Sequence, residues 1–201
     1  MPAVAGVNQR ERILDASLRL MAEHGSAGVS MRQLARACDL QVAAIYHYFP
    51  SKDALLAAVI DERRYGARLA EVPHLDPAWV PERRMRAVVD AVWEGAMGEE
   101  DVWRLLLGEG LRGEPAALPV GRDLLAGFRV GLAAWLAEVV PELTKPGPAV
   151  ELIIGQMFVG LVRVFFEPDA SPADLGVAVS DTVVELLFPA AVPSETEAQS
   201  E

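Results

Sequence analysis

The sequence predicts an all-α protein with a head of short helices joined to a larger helical body. Apolar residues recur at helical spacing along most of the chain, and no run alternates apolar and polar residues for long enough to make a strand. Clusters of Pro and Gly cut the chain into segments of ordinary helical length. At 201 residues, 52% of them hydrophobic, it can bury one sizeable core or carry a small module beside a larger one.

The first helix opens at Asn8, with Glu11 at capping-box distance, and aligns Ile13, Leu14, Leu18 and Met21 before stopping at Gly25. The second opens at Ser30 with Gln33 at the same offset, carries Met31, Leu34 and Ala35, and ends near Cys38. After a short turn through Cys38, Asp39 and Leu40, a third helix runs from Gln41 to Phe49. Pro50 and Ser51 break the chain and cap a fourth helix, from Lys52 to about Leu69.

Residues Val72 to Val80 read as a linker. Helices follow at Pro81 to Met97, Glu99 to Arg112, Leu118 to Val140, Val150 to Phe166 and Ala173 to Phe188. The last has Ser171 as N-cap, Pro172 at its first position and Asp174 in its first turn. The expected organisation is a flexible arm over 1–7, a head over 8–52, a body over 53–188 and a disordered acidic tail over 189–201.

The net charge of −11 is unevenly spread. Residues 1–65 hold eight basic and seven acidic side chains, so the other 136 carry −12. A near-neutral head on an acidic body suits a head that meets a polyanion, and ordinary solvated helix faces explain the body equally well. Cys38 is the sole cysteine, which excludes an internal disulfide and reads as an inert core thiol. With no signal-peptide pattern at the start, the expectation is a cytoplasmic protein. The apolar run Val150 to Phe166 reads as a buried helix, too short for a membrane span and interrupted by Gln156 and Arg163.

Enzyme motifs are missing. His24, His47 and His74 lie far apart, no Cys or carboxylate stands at metal-ligand spacing, and phosphate-loop and nucleophile-elbow patterns are absent, so neither catalysis nor a cofactor is expected. Glu99, Glu100 and Asp101 read as a solvated helix start that suits the macrodipole.

The third helix carries the chemistry. Helical period puts Ile45 and Phe49 inward with Leu40, and leaves Val42, Ala43, Tyr46 and His47 outward. Small residues beside hydrogen-bonding aromatics suit a helix that enters the major groove, although any short helix has some such face. Lys52, in the first turn of a helix, opposes the macrodipole unless an anion meets it there, and a phosphate is that anion. The Ser30 hydroxyl and neighbouring amides offer a second phosphate site across the groove.

From Gly28 through Ser30, the aromatic-rich Tyr46-His47-Tyr48-Phe49 and Lys52 to Leu56, the chain resembles the signature of the tetracycline-repressor (TetR) family, over about Arg10 to Ile60. The resemblance implies a three-helix helix-turn-helix DNA-binding head joined to a helical ligand-binding and dimerisation domain. It implies phosphate contacts at Ser30, Tyr46, Tyr48 and Lys52, and positions facing base edges at Arg32, Val42, Ala43, Ala44 and His47. Three residues depart from the pattern: Asp39 where Gly is usual, Gln41 where Ser or Thr caps the third helix, and Ala43 where Gly is common. Asp tolerates the left-handed conformation, so the turn should survive.

The resemblance further implies that the last two helices pair with their copies in a second subunit. The apolar residues agree, and they nominate Ile153, Met157, Leu161, Phe165, Val179, Val183 and Leu186 for dimerisation, with internal core as the alternative. Trp93, Met97, Trp103, Leu106, Phe128 and Trp135, with Met157 and Phe158, are candidates to line an effector pocket, with polar contacts from Glu94, Arg104, Glu109 and Arg129. The expected function is a dimeric, ligand-responsive regulator, a repressor released from a palindromic operator by a small hydrophobic or amphipathic effector. The alternative is the same fold without DNA binding, acting through protein partners.

Overall fold

The computed structural model describes residues 8–62 and 73–189. Nine helices and no strand occur among them: α1 (Gln9–Gly28), α2 (Met31–Ala37), α3 (Val42–Tyr48), α4 (Lys52–Glu62), α5 (Pro81–Met97), α6 (Glu100–Arg112), α7 (Leu118–Val139), α8 (Pro146–Phe166) and α9 (Pro172–Leu187). The arm over 1–7, the continuation of the fourth helix past Glu62, residue 72 of the expected linker and all of the tail but Pro189 lie outside the described residues.

The described residues gather into two compact units, one drawn from 1–71 and 95–131, the other from 72–94 and 132–201. In the first, α1 packs against α2, α4 and α6. Its core includes Ile13, Leu14, Met21, Leu34, Ile45, Leu55, Ile60 and Leu105, each at most 1% exposed. Burial of one such side chain contributes about 1.5–3 kcal/mol.

Asn8 caps α1 with its side chain accepting from the Arg10 N–H, and α1 breaks at Gly25, where φ is +72° and ψ is 157°. The sequence expectation ended this helix at that glycine; a final turn to Gly28 follows the break. The break leaves the Ser26 N–H in need of an acceptor, and Glu109 of α6 supplies it at 2.7 Å. Arg10, at the other end of α1, forms a two-pronged ion pair with Glu62 at 2.5 Å for each prong and lies 5.1 Å from the centre of the Phe49 ring.

In the second unit α8 packs against α9. Trp93 lies against both, because each presents a glycine: a Cβ on Gly176 would fall 2.5 Å from the indole, and one on Gly160 would also collide with it. The indole N–H donates to the Pro172 carbonyl at 2.9 Å. Arg84, 7% exposed, donates to the carbonyls of Trp79 and Val139 and to Glu142, tying the start of α5 to the end of α7. That guanidinium holds the Glu142 carboxyl below the usual range.

α8 begins at Pro146, four residues before the apolar run read from the sequence, because proline suits the first helical position. At 21 residues it is long and apolar enough to cross a membrane by length and composition, so shortness is no argument against a span. Here it packs on α9 with Ile153, Met157, Gly160 and Leu161 buried.

Candidate nucleic-acid interface

Three short-range devices position α3. The Ser30 hydroxyl accepts from the Gln33 N–H at 3.3 Å while the Gln33 side chain accepts from the Ser30 N–H at 2.8 Å, which closes the capping box that starts α2. α2 ends in a Schellman motif: the Leu40 N–H reaches the Ala35 carbonyl at 2.8 Å and the Asp39 N–H reaches Arg36 at 3.1 Å. Asp39 holds the left-handed position of that motif at φ +54°, the place glycine occupies with least strain. Ser51 then caps α4 through the Ala54 N–H at 3.0 Å.

Gln41, the N-cap of α3, makes no side-chain cap bond, as the missing Ser or Thr implies. Ile45 and Phe49 are buried at 0% and 3%, which fixes the helix by its inner face. Ala43, Tyr46 and His47 are exposed, and Val42, Ala44 and Tyr48 half-buried. The His47 and Tyr48 rings meet edge to face at 5.3 Å, and the Tyr48 hydroxyl donates to Gln9 at 3.1 Å. Arg32 and Arg36 are exposed on α2. Lys52 is half-buried, with its ammonium 3.5 Å from the Ala27 carbonyl, so it sits beside both the end of α1 and the start of α4.

Behind this surface, Arg12 donates to the Cys38 carbonyl at 2.9 Å and the Cys38 thiol donates back to the Arg12 carbonyl. Burial pushes the Cys38 thiol up, away from the reactive thiolate. No group of three potential metal ligands occurs among the described residues.

The expected effector residues are divided. Met97, Trp103, Leu106 and Phe128 fall in the first unit, while Trp93, Trp135, Met157 and Phe158 fall in the second. Trp103 and Phe128 meet edge to face at 6.0 Å, and the buried Trp103 N–H has no acceptor among the described residues. Trp93 is occupied by its packing on Gly160 and Gly176, and Phe158 is exposed. Of the polar candidates, Glu94 and Arg129 are exposed, Arg104 pairs with Glu100, and Glu109 is 1% exposed with its oxygen shared by Ser26 and Arg112.

Of the residues nominated for dimerisation, Ile153, Met157, Leu161, Val179 and Val183 are buried within the chain, Phe165 is half-buried and Leu186 exposed. Besides Leu186, α8 and α9 leave Phe158, Val159, Phe166 and Val177 more than half exposed.

Sequence reasoning missed the assembly of Gly25, Ser26, Glu109 and Arg112. The available signal was Glu109 itself, a carboxylate in register with the buried positions Val102, Leu105 and Leu106 of α6. A charged residue at a core position asks for a partner, but periodicity does not say which.

Comparison with known proteins agrees with this geometry. The family described as bacterial regulatory proteins, tetR family, matches residues 13–59. The HTH-type transcriptional regulator BetI of Agrobacterium fabrum is 26% identical over 183 residues, 90% of this chain and 86% of its own. The HTH-type regulator in the dhlA 5′ region of Xanthobacter autotrophicus is 29% identical over 68% of this chain, and the match spans 65% of that protein. Among solved structures, the reduced form of E. coli NemR superposes with a TM-score of 0.72 at 16% identity, over 92% of this chain and all of that one. Salmonella enterica GusR gives a TM-score of 0.67 at 21% identity, over 92% of this chain and 98% of that one.

Proposed function

Given that the chain belongs to the tetR family of bacterial regulatory proteins, we propose that it is a ligand-responsive repressor that binds a palindromic operator as a dimer. Residues 8–52 form the DNA-binding head, and residues 53–188 bind the effector and dimerise. The observation that carries this reading is α3: Ile45 and Phe49 anchor it, and the opposite face offers Ala43, Tyr46 and His47 to solvent. Small residues let the backbone approach base edges, with Arg32, Val42, Ala43, Ala44 and His47 facing them. Ser30, Tyr46, Tyr48 and Lys52 take phosphates, and these contacts fix register without reading sequence.

Two-fold symmetry matches two heads to two half-sites in successive major grooves. The exposed apolar residues of α8 and α9, from Phe158 to Leu186, support pairing of these helices with a second copy. Beside Phe128, the unsatisfied Trp103 N–H supports an apolar effector that carries a hydrogen-bond acceptor. The effector favours a conformation in which the heads no longer fit both grooves, and repression is released.

The test is selection of bound fragments from a random DNA pool by the purified protein, followed by titration of the enriched fragment at several salt concentrations. An inverted repeat bound by a dimer, with affinity falling steeply in salt, is the expected result. A well-folded dimer that enriches no sequence overturns the reading.

A further inference from the structure

In a chain of net charge −11, one cleft of the first unit brings two arginines together. It lies between the kinked end of α1 and α6, has a volume of 610 Å³, and is lined by Arg104 and Arg112 against one carboxylate, Glu23, with His24 beside them. That volume is within the roughly 300–1,000 Å³ of small-molecule sites. Its lining also includes the buried Met21 and Leu105 and the bare backbone of Gly108.

One wall already recognises a carboxylate. Arg112 Nη2 donates to Glu109 Oε1 at 2.7 Å, and the same oxygen accepts from the Ser26 N–H. Gly25 and Gly108 leave room for that guanidinium, since a Cβ on either would stand 3.2 Å from Arg112 Nη2. Arg104 pairs with Glu100 one turn back, both about two-fifths exposed, and a pair of that kind is worth only about 0.5 kcal/mol.

The geometry points to this cleft as a binding site for a small organic anion, a monocarboxylate with an apolar tail, paired with Arg104 and Arg112 and lying along Met21, Leu105 and Gly108. It is distinct from the effector region around Trp103 and Phe128. The anion competes with Glu109 for Arg112. Glu109 in turn holds Ser26 at the break in α1, so occupation of the cleft loosens the junction of α1 with α6.

The experiment is calorimetric titration of the full chain with straight-chain monocarboxylates of four to ten carbons and with the matching alcohols, at fixed ionic strength and without DNA. Octanoate is expected to bind at least about tenfold more tightly than octanol, and Arg104→Gln to weaken it by about tenfold, the cost of one charge-assisted hydrogen bond. Ala22→Leu fills the cleft without touching a charge, and Gly108→Leu fills it from the opposite wall while crowding Arg112; each is expected to abolish binding while the chain still unfolds cooperatively. Octanoate affinity unchanged in the folded filling variants overturns the proposal, as does a folded chain that binds no member of the series. Because no DNA enters this measurement, its failure is distinguishable from failure of the operator reading.

Discussion

Ser26 and Glu109, 83 residues apart in sequence, are joined by a 2.7 Å hydrogen bond from the backbone N–H of one to the carboxylate of the other. The break at Gly25 takes the Ser26 N–H out of the helical ladder, and a buried α6 carboxylate replaces the missing carbonyl. Removing that acceptor strands a buried donor, so Glu109→Ala should cost about 2–3 kcal/mol in urea unfolding. Glu109→Gln keeps an acceptor and should cost about 1 kcal/mol. Equal stabilities for the two variants would contradict the role given to the hydrogen bond.

The same carboxylate makes stability depend on pH. Burial alone would push Glu109 up, but the Arg112 guanidinium and the Ser26 amide and hydroxyl outweigh it and hold the group below the usual range. A carboxyl depressed by folding adds stability that is complete above its unfolded value of about 4.3 and is lost as pH falls through the folded value. The gap between the wild type and Glu109→Gln should therefore be widest near neutrality and narrow as pH falls below that unfolded value. A gap that stays constant down to pH 3 would rule this out.

Gly160→Ala and Gly176→Ala each place a methyl group against the Trp93 indole, and should lower stability by about 1–3 kcal/mol through overpacking. Combining Gly160→Ala with Trp93→Leu should recover part of that loss, since the substitutions share one contact. Strict additivity in thermal unfolding would show that the indole is not what the glycines accommodate.

At Asp39 the backbone has φ of +54°. Asp39→Gly should leave stability unchanged or raise it by up to about 1 kcal/mol, whereas Asp39→Val should lower it by about 1–2 kcal/mol, because a branched side chain resists the left-handed region. Chemical denaturation of the two variants decides between this and a side-chain role for the aspartate.

On selected operator DNA, Lys52→Ala should reduce the slope of log affinity against log salt by about one, with little change in sequence preference. His47→Ala should instead cost about 1–3 kcal/mol on the preferred site and relax preference at one base position. A Lys52→Ala protein with the wild-type slope would mean that the ammonium serves only its contact with Ala27.

Local pattern alone specifies the all-α class, the capping box at Ser30, the caps at Asn8 and Ser171, and the division of α3 into an anchored and an exposed face. These follow from local periodicity and short-range hydrogen bonds, which a sequence states directly. Packing selects which apolar residues of α8 and α9 stay inside the chain: Ile153 and Val183 are buried, while Phe158, Phe166 and Leu186 remain exposed. A helix that is apolar around most of its circumference does not say which side its neighbour will cover. Glu109 and Trp93 were likewise settled at long range, one by a break in α1 and the other by glycines on α8 and α9. Their partners are fixed by packing between segments far apart in sequence, which no local pattern encodes.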